Sequence, residues 1–471
     1  MSARVAPAVR RAVWLSYTFQ FFFGLLLWLP VFYEYQRQIG LSDEQIFGIQ
    51  SIYYIAFCLL EIPTGMVADR FDYRHCLVAG GVVLIAANLT PVFLASYTGF
   101  LVHFLLIALA RSLVSGAASA YLYEYMHSAG AGEAYPQAEG YGRSYSLIGK
   151  VVCWPVVGLL MQWNMPSPYW LSACNAAIAV FAAVALPAIP GRSAASAASP
   201  GHSAAQSTNP GHQGHSAAPP TDPVRPGHSA ALPVNPDPSD RLTASNAPGG
   251  SDDPAPDQSG RPARPPISVA LRGAFAQMRS SRLLVLLMVQ GVAIFTLARI
   301  CSVNLFQPIL DSKNTPVVLY GVVMALMTVF EALGAARPNW LRNRISDVRS
   351  VFLLTVAMAV TLALAGLLGI AGSVIALCVF SLACGLSFPI QRALLNAAIT
   401  DSRYRATLLS IESIIDRAVC ALVALALGSY LAAGNLTGFL VQTAIVTCVV
   451  MVVIGILIKA VRRRTEATTA A

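Results

Sequence analysis

The chain has 471 residues, of which 56% are hydrophobic and only 11% are charged. A soluble domain needs more charge than this to stay dispersed, so the composition excludes an ordinary water-soluble enzyme and indicates a polytopic membrane protein. The formal net charge of +9 could indicate nucleic acid as a partner, but where the charges lie along the chain matters more than their sum.

Apolar stretches of about 20 residues, each long enough to cross a bilayer as a helix, follow one another along the chain. Residues 1–11 lack the apolar core and cleavage site of a signal peptide, so the first stretch is expected to remain as a span. The predicted spans, numbered 1 to 12, lie near residues 12–33, 45–67, 76–95, 100–126, 144–162, 168–188, 283–306, 317–336, 350–370, 373–395, 406–432 and 437–459. This pattern predicts an all-α polytopic membrane protein.

Arginine and lysine are concentrated in alternate loops between these spans. One side of the membrane receives most of them, including Arg10, Arg143 and Arg349, whereas the loops on the other side hold little beyond Arg37 and Lys313. Because positive loops stay in the cytoplasm, both termini are predicted to be cytoplasmic. The basicity reflects membrane topology, so no nucleic-acid partner is expected.

The short charged loop between spans 2 and 3 carries the most informative motif. It reads GMVADRFDYR over residues 65–74 and resembles the Gly-x-x-x-Asp-(Arg/Lys)-x-Gly-(Arg/Lys)-(Arg/Lys) signature of the major facilitator superfamily. The matching positions are Gly65, Asp69, Arg70 and Arg74. Asp72 and Tyr73 depart from the signature. The preceding Glu61–Gly65 segment is similar to a version found among bacterial drug exporters.

The resemblance implies two six-helix bundles that rock about a central cavity and move a solute across the membrane. It also implies a latch at the inner face, in which Asp69 accepts from backbone amides of span 11 or pairs with Arg403 or Arg405. The loop arginines Arg70 and Arg74 would bind carboxylates and lipid phosphates. The alternative is that these charges only set the topology.

Arg111 lies near the middle of span 4, where an ionisable side chain is costly and is by default a functional candidate. Its surroundings, LARSLVSG, resemble the span-4 arginine motif of proton-coupled members of the superfamily, with one extra residue before the glycine. A buried guanidinium needs a carboxylate within reach, and the candidates are Glu34, Glu61 and Asp416. The alternative to a transport role is structural pairing.

Residues 191–266 differ in composition from everything around them. They are rich in Pro, Ala, Ser, Gly and His, repeat the hexapeptide PGHSAA, and contain almost no large apolar residues. Such a segment cannot bury enough surface to offset its ordering entropy. We predict a disordered cytoplasmic linker that separates an N-terminal six-helix bundle, 1–190, from a C-terminal one, 267–471.

Four further ionisable residues at membrane depth are candidates for proton coupling together with Arg111, namely Glu61, Glu412, Asp416 and Arg417. Glu412 and Asp416 are four residues apart on span 11 and share a helical face. Two carboxylates so close at low dielectric do not both ionise readily, so one is expected to carry a proton. The alternative is that an arginine, Arg417 or one from another helix, neutralises them as a fixed pair.

In the superfamily, spans 1, 4, 7 and 10 line the cavity. Polar and aromatic residues of the predicted spans 1, 4 and 7 or at their ends are therefore candidates for substrate contacts: Gln20, Glu34, Tyr121, Gln290, Arg299 and Asn304. Walls rich in aromatic and aliphatic residues suit an amphipathic organic compound better than a sugar.

The sequence therefore predicts a proton-coupled secondary transporter of the bacterial inner membrane, an efflux antiporter for a drug, with antibiotic resistance as its consequence, or for a self-made metabolite. The rival with the same fold is uptake of a nutrient or siderophore, and the more distant rival is a membrane enzyme or receptor. No catalytic residues, cofactor or metal site are expected, because the nine cysteines are scattered and no nucleotide-binding loop is present. The expected partners are the solute, protons and lipid, and a monomer is expected.

Overall fold

The computed structural model describes residues 6–70, 72–189, 267–401 and 404–470. Within these ranges the regular secondary structure is helical, with no β-strand, which confirms the predicted all-α class. Ten helical segments there are long and apolar enough to cross a membrane, and they correspond to ten of the predicted spans. The two others, spans 2 and 11, are helices of 28 residues, about 42 Å long and hence longer than the ~30 Å hydrocarbon core.

The N-terminal half contains spans 1 to 6, three of which are interrupted. Their helices are Pro7–Gly24 and Phe32–Gln38 (span 1), Asp43–Arg70 (span 2), Tyr73–Phe93 (span 3), Tyr97–Ser115 and Ala117–Ser128 (span 4), Tyr135–Cys153 and Val157–Trp163 (span 5), and Ser167–Ala185 (span 6).

The C-terminal half contains spans 7 to 12, preceded by the helix Ile267–Ser280. Their helices are Arg282–Arg299 and Phe306–Asp311 (span 7), Val318–Ala336 (span 8), Asp347–Leu367 (span 9), Ile370–Ala398 (span 10), Arg405–Ala432 (span 11) and Leu436–Ala470 (span 12), with a short helix Asn339–Arg342 between spans 8 and 9. The predicted linker lies within residues 190–266, outside the part of the chain that the structure describes.

Side-chain caps mark where several spans begin. Asp72 accepts from the amide of Arg74 at 3.1 Å and so starts span 3 immediately after span 2. Ser96 and Ser281 accept amide hydrogen bonds at the starts of spans 4 and 7. An N-cap of this kind contributes about 1 kcal/mol, and these three allow the chain to reverse through short connections.

Interruptions of the spans are compensated by side chains from neighbouring helices. In span 1 the backbone leaves the helix after Gly24, and the carbonyls of Leu25 and Leu26 accept from Asn175 and Trp154. Backbone groups at membrane depth need such partners because lipid supplies none. Span 5 narrows to a 3₁₀ turn at Trp154–Val156, where the proline at position 155 has no amide for a helical hydrogen bond.

Among the described residues, the hydrophobic core is shared between the halves at one face only. We call the face at which spans 1 and 7 begin the terminal face, and the other the opposite face. Toward the opposite face, one cluster contains residues of both halves, such as Trp28, Phe47, Phe306 and Cys420. Toward the terminal face, each half has its own cluster among the described residues.

Polar contacts and close backbone packing hold the halves together at the opposite face. The amide of Tyr33 donates to Gln307, and the Gln307 amide donates to the Leu29 carbonyl, at 3.0 and 3.1 Å. Arg37 forms an ion pair with Asp311. Spans 2 and 11 and spans 5 and 8 pack against each other across the same boundary.

Large apolar side chains cover the outer surface of the helices. Leu59, Phe93, Phe181 and Leu422 are each at least 68% exposed. A soluble monomer rarely exposes so many large apolar groups. This surface is therefore suited to contact with lipid chains.

Candidate functional site

A cavity of about 290 Å³ lies between the two halves. Spans 1, 2 and 4 form one wall, and spans 7 and 11 form the other. Apart from the hydroxyl of Ser115, the lining side chains are aromatic, aliphatic or cationic: Phe23, Tyr53, Tyr54, Phe57, Arg111, Val114, Arg299 and Arg417. We call this space the arginine cavity.

The three arginines lie near the middle of their spans. Arg111 belongs to span 4, Arg299 to span 7 and Arg417 to span 11. Each is about 18 Å or more along its span from either end, at about 1.5 Å per residue. Cations at that depth are costly in lipid and are found facing a protein interior or a polar cavity, as these do.

Arg299 is held by Asp416 on the neighbouring span 11. Its Nη2 and Nε donate to Asp416 Oδ2 at 2.9 and 3.3 Å, and Thr296 donates to Oδ1 at 3.0 Å. The Asp416 side chain is 2% exposed, whereas Arg299 is 36% exposed. The acid therefore lies behind the arginine, and the guanidinium is the group that the cavity presents.

Arg417 connects the two halves directly. Its Nη1 lies 2.7 Å from Glu61 Oε2 on span 2, and its Cζ lies 3.9 Å from the centre of the Phe57 ring on the same span. Residues 57 and 61 are four apart and so share a helical face. One arginine of the C-terminal half thus forms an ion pair and a cation–π contact with the N-terminal half.

The second acid of span 11, Glu412, has a different partner. Its Oε2 accepts from Arg392 of span 10 at 2.8 Å, and its side chain is fully buried. The other oxygen, Oε1, has no hydrogen-bond partner among the described residues, and the same is true of Oε1 of Gln391. Both side chains lie beside Gly291, where a Cβ would be 2.1 Å from Glu412 Oε1.

The predicted alternatives for span 11 can now be compared with the contacts. Glu412 and Asp416 share a face, but each is paired with an arginine of a different helix, while Arg417 is paired with Glu61 instead. These contacts are the ones that the fixed-pair alternative describes.

Arg111 has no ion pair with any described residue, and its side chain is exposed to the cavity. The expectation that it has an acidic partner is therefore wrong within the described ranges. Two of the candidates, Glu61 and Asp416, are bound to other arginines, and the third, Glu34, accepts from Gln38 at the end of span 1. Arg111 can lack an acidic partner because its guanidinium faces a polar cavity, in which it can remain solvated.

A smaller cavity of about 190 Å³ lies between spans 1, 5, 7, 8 and 10, with Lys150, Ser302 and Glu331 on its walls. Lys150 and Glu331 carry opposite charges, so this cavity, unlike the arginine cavity, has a lining of both signs.

The remaining predicted cavity residues are dispersed. Asn304 accepts from Tyr54 of the other half at 2.8 Å, within a π-helical turn that follows Arg299. Gln290 is buried, and Gln20 lies beside Gly142 of span 5. Tyr121 is buried in the N-terminal half and donates to the carbonyl of residue 187, so it does not line the arginine cavity.

Most of the predicted latch falls where the structure does not describe side chains. This applies to Gly65, Asp69, Arg70 and Arg403. Of the others, Arg74 donates to the Val184 carbonyl at the end of span 6, and Arg405 is exposed at the start of span 11. The latch remains a prediction.

Sequence reasoning did not select Tyr53, Tyr54 and Phe57 for the cavity, nor Arg392 as a partner of Glu412. A signal for the aromatic residues exists in retrospect, because positions 53, 57 and 61 repeat every four residues and so share a face of span 2. For Arg392 no sequence signal exists, since its partner lies on another helix.

Comparison with known proteins gives the fold a family context. The family model described as "Major Facilitator Superfamily" matches residues 12–415. No curated protein matches the sequence significantly.

Solved structures match over almost the whole chain. The nucleoside transporter NupG matches with a TM-score of 0.66 at 13% identity, covering 96% of this chain and all of NupG. A POT family transporter in complex with a thioalcohol-conjugated peptide matches with a TM-score of 0.63 at 11% identity, covering 95% of this chain and 94% of that one. At such low identity the likeness shows the fold alone, and it confirms the predicted two-bundle architecture as a class.

Proposed function

Because the chain belongs to the Major Facilitator Superfamily, we propose that it is a proton-coupled secondary active transporter that exports an amphipathic small organic compound from a bacterial cell by alternating access. The family implies a multi-pass membrane transporter of a small molecule rather than an enzyme. Direction, coupling ion and substrate class are our proposal.

The observation that carries this proposal is the division of the core. The halves share a hydrophobic cluster toward the opposite face and have separate clusters toward the terminal face, with the arginine cavity between them. Two rigid halves joined at one face can rock about a central site and exchange which face is closed. The cavity is then exposed to one side of the membrane at a time.

We place the coupling proton on Glu412, and the support is its hydrogen bonding. A proton can bind the unpartnered Oε1 of Glu412 without breaking a hydrogen bond. A proton on Asp416 has to displace Arg299 or Thr296. Neutralising Glu412 weakens its ion pair with Arg392, which loosens span 10 against span 11 and favours one of the two conformations.

We retain the inner-face latch as part of the mechanism. In this proposal Asp69 contacts the start of span 11 near Arg403 and Arg405 when the terminal face is closed, and Arg70 and Arg74 bind carboxylates and lipid phosphates. The support is the motif in the loop between spans 2 and 3 together with the basic residues that precede span 11. Oppositely charged groups across this boundary stabilise the closed face without linking the halves permanently.

The experiment that tests the function uses membrane vesicles with an acidic interior maintained by respiration. Inverted vesicles that contain the protein are treated with a panel of amphipathic drugs, and the internal pH is followed with a fluorescent dye. An exporter that exchanges compound for protons releases internal protons when its substrate is added, and a protonophore abolishes the signal.

Two outcomes would contradict parts of the proposal. A response that matches vesicles without the protein, for every compound and in both vesicle orientations, would refute proton-coupled transport. Gradient-driven accumulation in right-side-out vesicles alone would assign uptake, the rival direction, to the same fold.

A further inference from the structure

We propose that the arginine cavity binds the anionic group, a carboxylate or a phosphate, of a substrate whose remaining part is aromatic or apolar. This inference rests on the transport function proposed above and narrows it from any amphipathic compound to an organic anion. It follows from which charges line the cavity and from which acids those charges are paired with.

The cavity presents only cationic groups among its charged lining residues, namely Arg111, Arg299 and Arg417. Asp416 and Glu61 neutralise the latter two. Arg111 is the cation left over, and it is exposed to the cavity without an acidic partner in the described ranges. A ligand carboxylate or phosphate can supply the missing negative charge through paired N–H···O bonds, for which guanidinium is well suited.

A cationic substrate is disfavoured by the same arrangement. The side chain of Asp416 is 2% exposed, and Glu61 is engaged by Arg417 at 2.7 Å. To reach either acid, a cation would have to displace an arginine and then lie beside the remaining ones. Like-charge contact of this kind excludes a ligand more strongly than loss of a hydrogen bond does.

The walls around the arginines fit an aromatic body. Phe23 and Tyr53 line the cavity, and aromatic rings offer flat apolar surface to a conjugated ligand. With about 290 Å³ the cavity is at the lower limit of small-molecule sites. It therefore fits a compact ring system that bears one anionic group better than a large drug.

Three compounds that share an indole ring test the inference. Indole-3-acetate is an anion, indole-3-acetamide is neutral and tryptamine is a cation at pH 7. Binding to the full-length protein in detergent is measured by calorimetry. We expect indole-3-acetate to bind at least tenfold more tightly than the other two, because a charge-assisted hydrogen bond is worth about one order of magnitude in affinity.

Substitutions of Arg111 test whether this residue causes the preference for the anionic compound. Arg111→Gln is expected to weaken indole-3-acetate binding about tenfold and leave indole-3-acetamide unchanged, while Arg111→Lys retains part of the preference. Arg282→Gln, at the exposed start of span 7, removes the same charge outside the cavity and is the matched control. Equal binding of the three compounds, absence of binding, or an Arg111→Gln variant that behaves like wild type would overturn the inference.

The headgroup of a lipid that enters the cavity is the other source of an anion. Short-chain phosphatidylglycerol is therefore added as a competitor. If each compound displaces the other, the two share an anion site, which supports the proposal. Binding of phosphatidylglycerol without binding of indole-3-acetate would assign the cavity to lipid and overturn the substrate proposal. Because binding is measured without a gradient, it is independent of proton-coupled flux, so either proposal can fail while the other holds.

Discussion

At the scale of single residues, the charges in the middle of the membrane differ in how they are compensated. Asp416 accepts from Arg299 and Thr296, whereas Glu412 has one oxygen bound and one without a partner. Both acids are buried on the same helical face. Their sequence spacing makes them equivalent, and only their neighbours on spans 7 and 10 separate a fixed acid from a candidate proton carrier.

The two acids are predicted to respond differently to loss of charge. Glu412→Gln should abolish gradient-driven transport but permit exchange of compound across the membrane, because the amide fills the same space and cannot titrate. Asp416→Asn should reduce both activities and lower the stability by about 1–3 kcal/mol, since Arg299 loses its carboxylate. Flux and exchange in reconstituted vesicles, together with thermal unfolding in detergent, measure these effects.

Which activity each variant loses distinguishes the role of Glu412 from that of Asp416. Gradient-driven transport that survives in Glu412→Gln and is lost in Asp416→Asn, with exchange intact, would move the coupling proton to Asp416. The fold control is the unfolding temperature of Glu412→Gln, which should fall less than that of Asp416→Asn, because the Glu412 carboxylate accepts one hydrogen bond from an arginine whereas that of Asp416 accepts two, with a third from Thr296.

At the scale of helices, the contact between spans 5 and 8 depends on small residues. A Cβ on Gly321 would be 1.9 Å from the carbonyl oxygen of Trp154, and one on Gly158 would be 2.5 Å from that of Val317. Trp154 belongs to the 3₁₀ turn at which span 5 bends. The bend and the glycines together let two backbones from different halves approach closely.

Gly321→Ala is predicted to separate spans 5 and 8 at the opposite face. Because the obstructing atom is backbone and cannot rotate away, the cost should be about 1–3 kcal/mol, and the conformation closed at this face should lose population. Accessibility of an engineered cysteine at Ser302 to a water-soluble maleimide, added from the opposite face, measures this and should rise.

Gly48→Ala on span 2 is the matched control. A Cβ there meets no atom within 4 Å, so accessibility should be unchanged and the helix slightly stabilised. If both variants label alike, the close approach of spans 5 and 8 does not hold this face closed.

At the scale of the whole molecule, the shared core and the separate cores fit one stage of the rocking motion proposed above. The composition places the chain in the membrane, and the family match places residues 12–415 in one superfamily. The composition of residues 191–266 predicts that this segment connects the halves without packing against them.

Deleting residues 195–260 is predicted to leave transport within about twofold of wild type. The segment contains almost no large apolar residues, so its removal should cost little buried surface. The vesicle assay for proton movement measures the effect, with the surface level of the protein as the control. Loss of activity at normal surface level would assign the segment a function in transport.

Membrane class, span order and family follow from the amino-acid sequence alone, because helix length, hydropathy and the motif at Gly65–Arg74 are local properties that need no tertiary contact. The ionisable residues of the centre, Glu61, Arg111, Glu412, Asp416 and Arg417, could also be selected locally, since charge in an apolar span is conspicuous. Which of these residues pair with one another could not be predicted from the sequence.

Which arginine meets which acid depends on distances between helices that are hundreds of residues apart along the chain, as with Arg417 and Glu61. The sequence therefore suggested an acidic partner for Arg111, whereas the packing of spans 2, 4, 7 and 11 leaves that arginine facing a cavity together with two others. Only the tertiary structure decided that the charged residues lining the cavity are cationic. The rotation of each helix, and not the composition of the chain, sets which side chains face the cavity.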